Sequence, residues 1–218
     1  MTRPLLLGHR GVRGRRYRVL ENTIAAFDLA LQYGCDGIEF DVRLTAEGGA
    51  VVCHNSKSAG MSIANSPTDS LRALPSLEEV LYRYASRAFL DIELKVPGLT
   101  STLLSALAEN PAQRGYVVSS FLSDVLLDFH AHNRAVSLGL ICETRKELQL
   151  WAELPVQYVI AKQSLVTPKL IADIHSAGRK VFAWTVNDRN AMVRLAEHAI
   201  DGIISDRADL LASTLKNS

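Results

Sequence analysis

Short apolar runs alternate with segments of helical spacing from one end of the chain to the other, and this alternation constrains the fold more than any other feature. The runs are 4–8, 37–43, 89–94, 116–120, 136–141, 158–161, 180–185 and 202–205, which predict eight strands. Between them apolar residues recur at helical spacing, as in Ile24, Phe27 and Leu31, in Leu77, Val80, Leu81 and Tyr84, and in Leu170, Ile171 and Ile174. Asn22 or Thr23, Ser76 and Ser123 stand where helices should start, with Glu79 three residues after Ser76, and Gly34 and Gly178 stand where helices should end. Repeated β/α units without a break in composition indicate an α/β protein, a closed (β/α)8 TIM barrel forming one domain over 1–218. A length of 218 residues suits that architecture.

The run at 50–54 does not fit a parallel crossover, because only 44–49 separates it from the second strand and a crossover needs a dozen or more residues. A short hairpin turning around Ala46-Glu47-Gly48-Gly49 accommodates it, pairing residues whose numbers sum to about 95. His54 then returns beside Asp41. The polar stretch 55–72, with Gly60 and Pro67, reads as a small excursion above the barrel.

All parallel strands of such a barrel end at one rim, and this chain places ionisable groups there. His9 and Arg10 follow the first run, Glu39 and Asp41 lie in the second, Glu93 and Lys95 close the third, and His54 closes the hairpin. Glu39 and Asp41 are two apart, so a strand points both to one face. Inward carboxylates need a partner, because burying an unpaired charge is costly. Two readings remain open for them: an all-oxygen site suited to Mg²⁺ or Ca²⁺, or a rim of ion pairs with Arg10, Arg43 or Lys95. The two histidines favour chemistry, since one can take a proton from a nucleophile while the other protonates a leaving oxygen. Arg10 and Lys95 add cations, and an arginine grips phosphate with two donors.

A formal net charge of +1 gives no general pull toward nucleic acid or membrane. No apolar run approaches the roughly 18 residues of a membrane span, and the apolar stretch near the start is too short for a secretory leader. The expectation is a cytoplasmic protein with no stable membrane association, acting on a small molecule. Cys35, Cys53 and Cys142 sit in apolar sequence and read as buried free thiols.

Several motifs then combine: Gly8-His9-Arg10-Gly11, Glu21-Asn22-Thr23, Asp36-Gly37-Ile38-Glu39-Phe40-Asp41-Val42, Val51-Val52-Cys53-His54, Asp91-Ile92-Glu93-Leu94-Lys95, Ser119-Ser120-Phe121 and Trp184-Thr185-Val186-Asn187. Together they resemble the glycerophosphodiester phosphodiesterase family over nearly the whole chain. The resemblance implies a barrel that hydrolyses glycerophosphodiesters to glycerol 3-phosphate and an alcohol with a divalent cation. On that likeness His9 and His54 are the acid/base pair, Glu39, Asp41 and Glu93 bind the metal, Arg10 and Lys95 hold phosphate, and Trp184 packs against the glycerol. The nucleophile is then either the substrate's own 2-hydroxyl or a water. The chain departs from the family pattern at Asn55, where an Asp is usual after the histidine, at Leu20 in place of Pro, and at Glu47 in place of Asp in the turn. An amide raises the basicity of a neighbouring histidine less than a carboxylate does.

His130, His132, His175 and His198 fall on helices or their ends, away from the rim; Glu21 and Asn22 read either as supports hydrogen-bonded to the site or as caps of the first helix, with capping slightly ahead for Asn22. The run from Arg13 to Arg18 lies at the mouth and reads first as a solvated basic loop, with attraction of an anionic substrate as the alternative. Two further readings share the scaffold: a lysophospholipase D-type phosphodiesterase, and a noncatalytic barrel that binds phosphodiesters or a protein. Metal-dependent turnover separates the enzymes from the binder.

Overall fold

A computed structural model describes residues 3–216. Strand β1 (Leu5–His9) leads through a loop to α1 (Ile24–Tyr33), then β2 (Gly37–Leu44) and the short β3 (Ala50–Val52). Two-residue strands β4 (Lys57–Ser58) and β5 (Met61–Ser62) form a small hairpin within the excursion. The chain continues as α2 (Leu77–Tyr84), β6 (Phe89–Leu94), α3 (Thr100–Glu109), β7 (Tyr116–Ser120), α4 (Ser123–His132), β8 (Leu138–Cys142) and α5 (Arg145–Gln149). It ends with β9 (Tyr158–Lys162), α6 (Pro168–Ser176), β10 (Lys180–Trp184), α7 (Arg189–Glu197), β11 (Gly202–Ser205) and α8 (Ala208–Leu215). Strand β1 closes the ring, pairing in parallel with β11 (Leu5↔Gly202) on one side and with β2 (His9↔Glu39) on the other. The result is the expected (β/α)8 TIM barrel.

The two-residue strand period decides what each face carries. Ile38, Phe40 and Val42 of β2, and Leu90, Ile92 and Leu94 of β6, pack outward into the layer shared with the helices. The alternate residues, Glu39, Asp41, Asp91 and Glu93, therefore turn inward. Below them the interior is filled by Leu7, Phe89, Val117, Tyr158, Ile160 and Phe182 among others, with Tyr158 and Phe182 edge to face at 5.1 Å. Truncating a fully buried ring such as Phe182 to Ala would cost about 3–5 kcal/mol. This apolar plug closes one end of the barrel and leaves the other to polar groups.

Thr23 caps α1 by accepting from Ala26 N at 3.2 Å, and Ser76 caps α2 by accepting from Glu79 N at 3.1 Å. Ser123 is instead the first residue of α4, after a Leu122 that makes no side-chain cap. Strand β8 begins later than the apolar run, because Asn133 Oδ1 accepts from Ala135 N at 2.9 Å and holds that segment in a turn. The hairpin register falls within a residue of expectation, with Val42 opposite Val52 and Leu44 opposite Ala50. The turn spans Ala46 to Gly48, with Gly48 left-handed (φ 83°) and Thr45 N donating to Gly49 O at 2.8 Å. Cys53 rather than His54 therefore lies opposite Asp41, donating from its backbone N at 2.9 Å. Cys35 and Cys142 are buried free thiols, whereas Cys53 is half-buried. No helix among the described residues is long and apolar enough to cross a membrane.

Candidate active site

The turn after β1 explains the glycines around His9 and Arg10. Gly11 N donates to Gly8 O at 3.1 Å, and a Cβ on Gly8 would stand 2.1 Å from Gly11 O. Gly11 itself is left-handed (φ 79°) and presses on α1, where a Cβ would come within 2.5 Å of the Ala26 carbonyl carbon. Only glycine fits either place. The turn also sets Arg10 in the left-handed region (φ 51°), from which its backbone N donates to Glu39 Oε2 at 2.9 Å. The Arg10 guanidinium meets Asp41 Oδ2 at 3.1 Å and Glu21 Oε1 at 2.6 Å, and Arg13 takes the other Glu21 oxygen at 2.6 Å.

Glu39, Asp41 and Glu93 are all buried, and each offers an oxygen within 4.8 Å of the others. Strand register brings them together, since Asp41 on β2 stands beside Glu93 on β6. Lys95 bridges two of them, 2.9 Å from Asp41 Oδ1 and 2.5 Å from Glu93 Oε1. Burial works to raise all three carboxyls. For Asp41 the cations Lys95 and Arg10, with a bond from Asn22, outweigh it and hold the group down at about 2. Glu39 has no such excess of cations, and burial with repulsion from Asp41 and Glu93 lifts it well above the usual range. Glu93 is pushed up to about 8 by burial and by Asp41. Glu39 Oε1 is buried with no hydrogen-bond partner among the described residues. An all-oxygen donor set with an unmatched buried oxygen and excess negative charge fits a hard divalent cation.

The two histidines reach the site from different sides. His9 Nδ1 lies 2.6 Å from Asp206 Oδ1, which leaves Nε2 toward the cavity, 3.8 Å from Glu39 Oε2. Asp206 follows the last barrel strand, and Asn187 fixes its other oxygen at 2.7 Å. Burial raises the Asp206 carboxyl, but its bond to His9 prevails and the net shift is downward. His54 Nδ1 meets Asn55 Oδ1 at 3.1 Å, and Arg43 clamps the His54 carbonyl with two donors at 2.9 and 2.7 Å. Burial lowers the pKa of His54.

These groups face one cavity of about 310 Å³. His9, Arg10, Glu39, His54, Glu93 and Lys95 line its polar side, while Phe121, Ile141, Ile160, Trp184 and Ile204 line the other. Asp41 lies just behind the wall, fully buried. The Trp184 indole donates to Ile160 O at 3.1 Å and meets Phe121 edge to face at 5.6 Å. All eight sequence-derived candidates thus converge on one mouth, and the four histidines set aside earlier are not part of its lining. The sequence reading missed Asp206, whose signal was a carboxylate just past a strand end. It also missed Asp91, which shares the inward face with Glu93, accepts from Ser119 Oγ at 2.5 Å and is pushed up to about 7 by burial. Asn22 is not a cap: its amide donates to Asp41 Oδ2.

Residues 9–71 and 91–210 match the profile of the glycerophosphoryl diester phosphodiesterase family. A glycerophosphodiester phosphodiesterase of Caldanaerobacter subterraneus is 27% identical over 98% of both chains. Among solved structures, a glycerophosphodiester phosphodiesterase from Parabacteroides distasonis superposes with a TM-score of 0.87 at 22% identity, covering 99% of this chain and 98% of the other. An Oleispira antarctica phosphodiesterase, crystallised with its product sn-glycerol-3-phosphate, gives a TM-score of 0.86 at 24% identity, covering 99% and 98%.

Proposed function

The chain belongs to the glycerophosphoryl diester phosphodiesterase family, and from that premise we propose that it hydrolyses small glycerophosphodiesters to glycerol 3-phosphate and an alcohol by two-histidine acid/base catalysis. The observation that carries the reading is one cavity faced by two histidines, a carboxylate cluster and two cations, with an apolar wall opposite. Its volume of about 310 Å³ is at the small end for ligand sites, which suits a short diol phosphate.

Arg10 and Lys95 attract and orient the phosphate, and Trp184 with Phe121 packs the carbon face of the glycerol. His54, kept neutral by burial and with Nδ1 engaged by Asn55, presents Nε2 as the base that takes the proton of the attacking hydroxyl. His9 acts in its doubly protonated form, with Nδ1–H donated to Asp206, and gives the Nε2 proton to the leaving alkoxide, returning to the neutral ring. Asp206 acts through His9 by orienting the ring and pairing with its imidazolium form, as the carboxylate of a catalytic triad does. Glu39, Asp41 and Glu93 would hold a divalent cation, which when bound neutralises phosphate charge and lowers the pKa of a coordinated hydroxyl. The apolar floor limits stray water near the reacting phosphate.

The test is release of glycerol 3-phosphate from glycerophosphocholine and glycerophosphoethanolamine by purified protein, first with EDTA and then with added Mg²⁺ or Ca²⁺. Release that requires the metal and disappears in His54→Ala is the expected result. Absence of release from either substrate under every metal condition would overturn the proposal.

A further inference from the structure

The loop leaving β1 carries an uneven charge that the catalytic reading does not use. Four arginines and no acid lie between Arg13 and Leu20, in a chain whose total charge is only +1. Arg13 is tied to Glu21 at 2.6 Å and Arg16 to Asp209 at 3.2 Å. The side chains of Arg15 and Arg18 are exposed and make no ion pair or hydrogen bond among the described residues. Leu20, beside them, is 79% exposed. Leu122, which follows β7, and Met61, at the tip of the excursion hairpin, expose further apolar surface on segments at the same end of the barrel.

We propose that this loop is a docking platform for an anionic lipid surface, with Arg15 and Arg18 on headgroup phosphates and Leu20 in the boundary beneath them. Arginines flanking an unshielded leucine complement a surface that is negative outside and hydrocarbon inside. A nucleic-acid platform would expose aromatic faces for stacking, whereas Tyr17, the loop's aromatic residue, is buried. The platform is fixed to the site wall: Arg13 N donates to Asp206 O at 3.1 Å, and Glu21 grips Arg13 and Arg10 together. Docking by so few groups is weak and salt-reversible, so it holds the mouth near a lipid surface without anchoring the protein. The inference stands apart from the catalytic reading, because lipid binding is measured without turnover.

The test is cosedimentation with vesicles of phosphatidylcholine alone or with phosphatidylglycerol in a 7:3 mixture (about 30% anionic, a surface of the kind that attracts basic segments), at low and at high salt. The expected result is binding to the mixed vesicles several-fold above that to phosphatidylcholine alone, lost at high salt. Arg15→Ala with Arg18→Ala should lower partitioning about thirtyfold, Leu20→Ser should also lower it, and Arg15→Lys with Arg18→Lys should retain it. All three should keep turnover of glycerophosphocholine. Equal binding to both vesicles, no binding to either, or unchanged binding by the alanine pair would overturn the proposal. Retention on immobilised polyglutamate without vesicle binding would assign the patch to an acidic protein partner and overturn it equally.

Discussion

Asn22 Nδ2 donates to Asp41 Oδ2 at 2.7 Å from a backbone held in the left-handed region at φ 56°. The bond joins the start of α1 to the most deeply buried acid of the cluster, and asparagine is among the few residues that adopt this conformation readily. Asn22→Ala should lose about 1–3 kcal/mol of stability through strain and the lost bond, while Asn22→Gly relieves the strain but not the loss. Both should reduce turnover about 10–100-fold, as changes to the groups orienting a ligand do. Chemical denaturation and kinetics on the two variants separate the contributions; full activity in Asn22→Gly would remove the positioning role.

Glu39→Gln should abolish turnover and yet leave the metal-free protein at least as stable as the parent, because a buried charge under repulsion has been removed. A divalent cation at about 100 times its Kd should stabilise the parent by about 2.7 kcal/mol, and the Gln variant much less. Thermal unfolding with and without Mg²⁺ or Ca²⁺ reads both effects. An equal metal-induced shift in the two proteins would move the cation elsewhere.

Asp206→Asn should cut kcat on the order of 10³-fold with a small change in KM, since the neutral amide no longer pairs with the doubly protonated ring of His9. Nitrogen chemical shifts of His9 should report the altered ring protonation in the same variant. Unaltered shifts with lowered kcat would make the effect structural.

A pH test of stability lies at the opposite end of the barrel, where Asp36 accepts from Leu6 N at 2.9 Å and from Arg3 at 2.6 and 2.8 Å. Burial raises this carboxyl, but the bonds from Arg3 and Leu6 outweigh it and its folded pKa is lowered. A lowered folded pKa means that the stabilisation is complete above the unfolded value of about 3.9 and is lost as pH falls through the folded value. Asp36→Asn should therefore cost on the order of 1 kcal/mol at neutral pH, reduced by the partial exposure of the pair, and nothing in strong acid. Denaturant midpoints of both proteins from pH 7 down to the limit of reversible folding provide the measurement. A gap that widens in acid would contradict this sign.

Strands were legible because their apolar period is local: 89–94, 116–120 and 202–205 were bounded as observed. Glu39, Asp41 and Glu93 were legible for the same reason, each lying on a strand whose alternation fixes its face. Asp206 was not, because its partner His9 is 197 residues away and nothing in either neighbourhood encodes the pairing. Asn22 was legible only as a choice between cap and site support, because a polar residue before an apolar helical run has the same local pattern whether it caps or reaches into a site. The hairpin register was legible only to within a residue, because Ala46 to Gly48 form a turn whose length depends on a single left-handed glycine.

The barrel itself is a ring without an edge, but the strand that delivers His54 is not part of it: β3 is laddered to β2 alone among the described strands. One of the two histidines thus arrives on an appendage, while the other and the whole carboxylate cluster are built into the closed sheet. Insertions or deletions across 55–72 can accumulate without reopening that sheet, so descendants of this fold can reshape the room on the His54 side of the site while inheriting the carboxylate cluster intact.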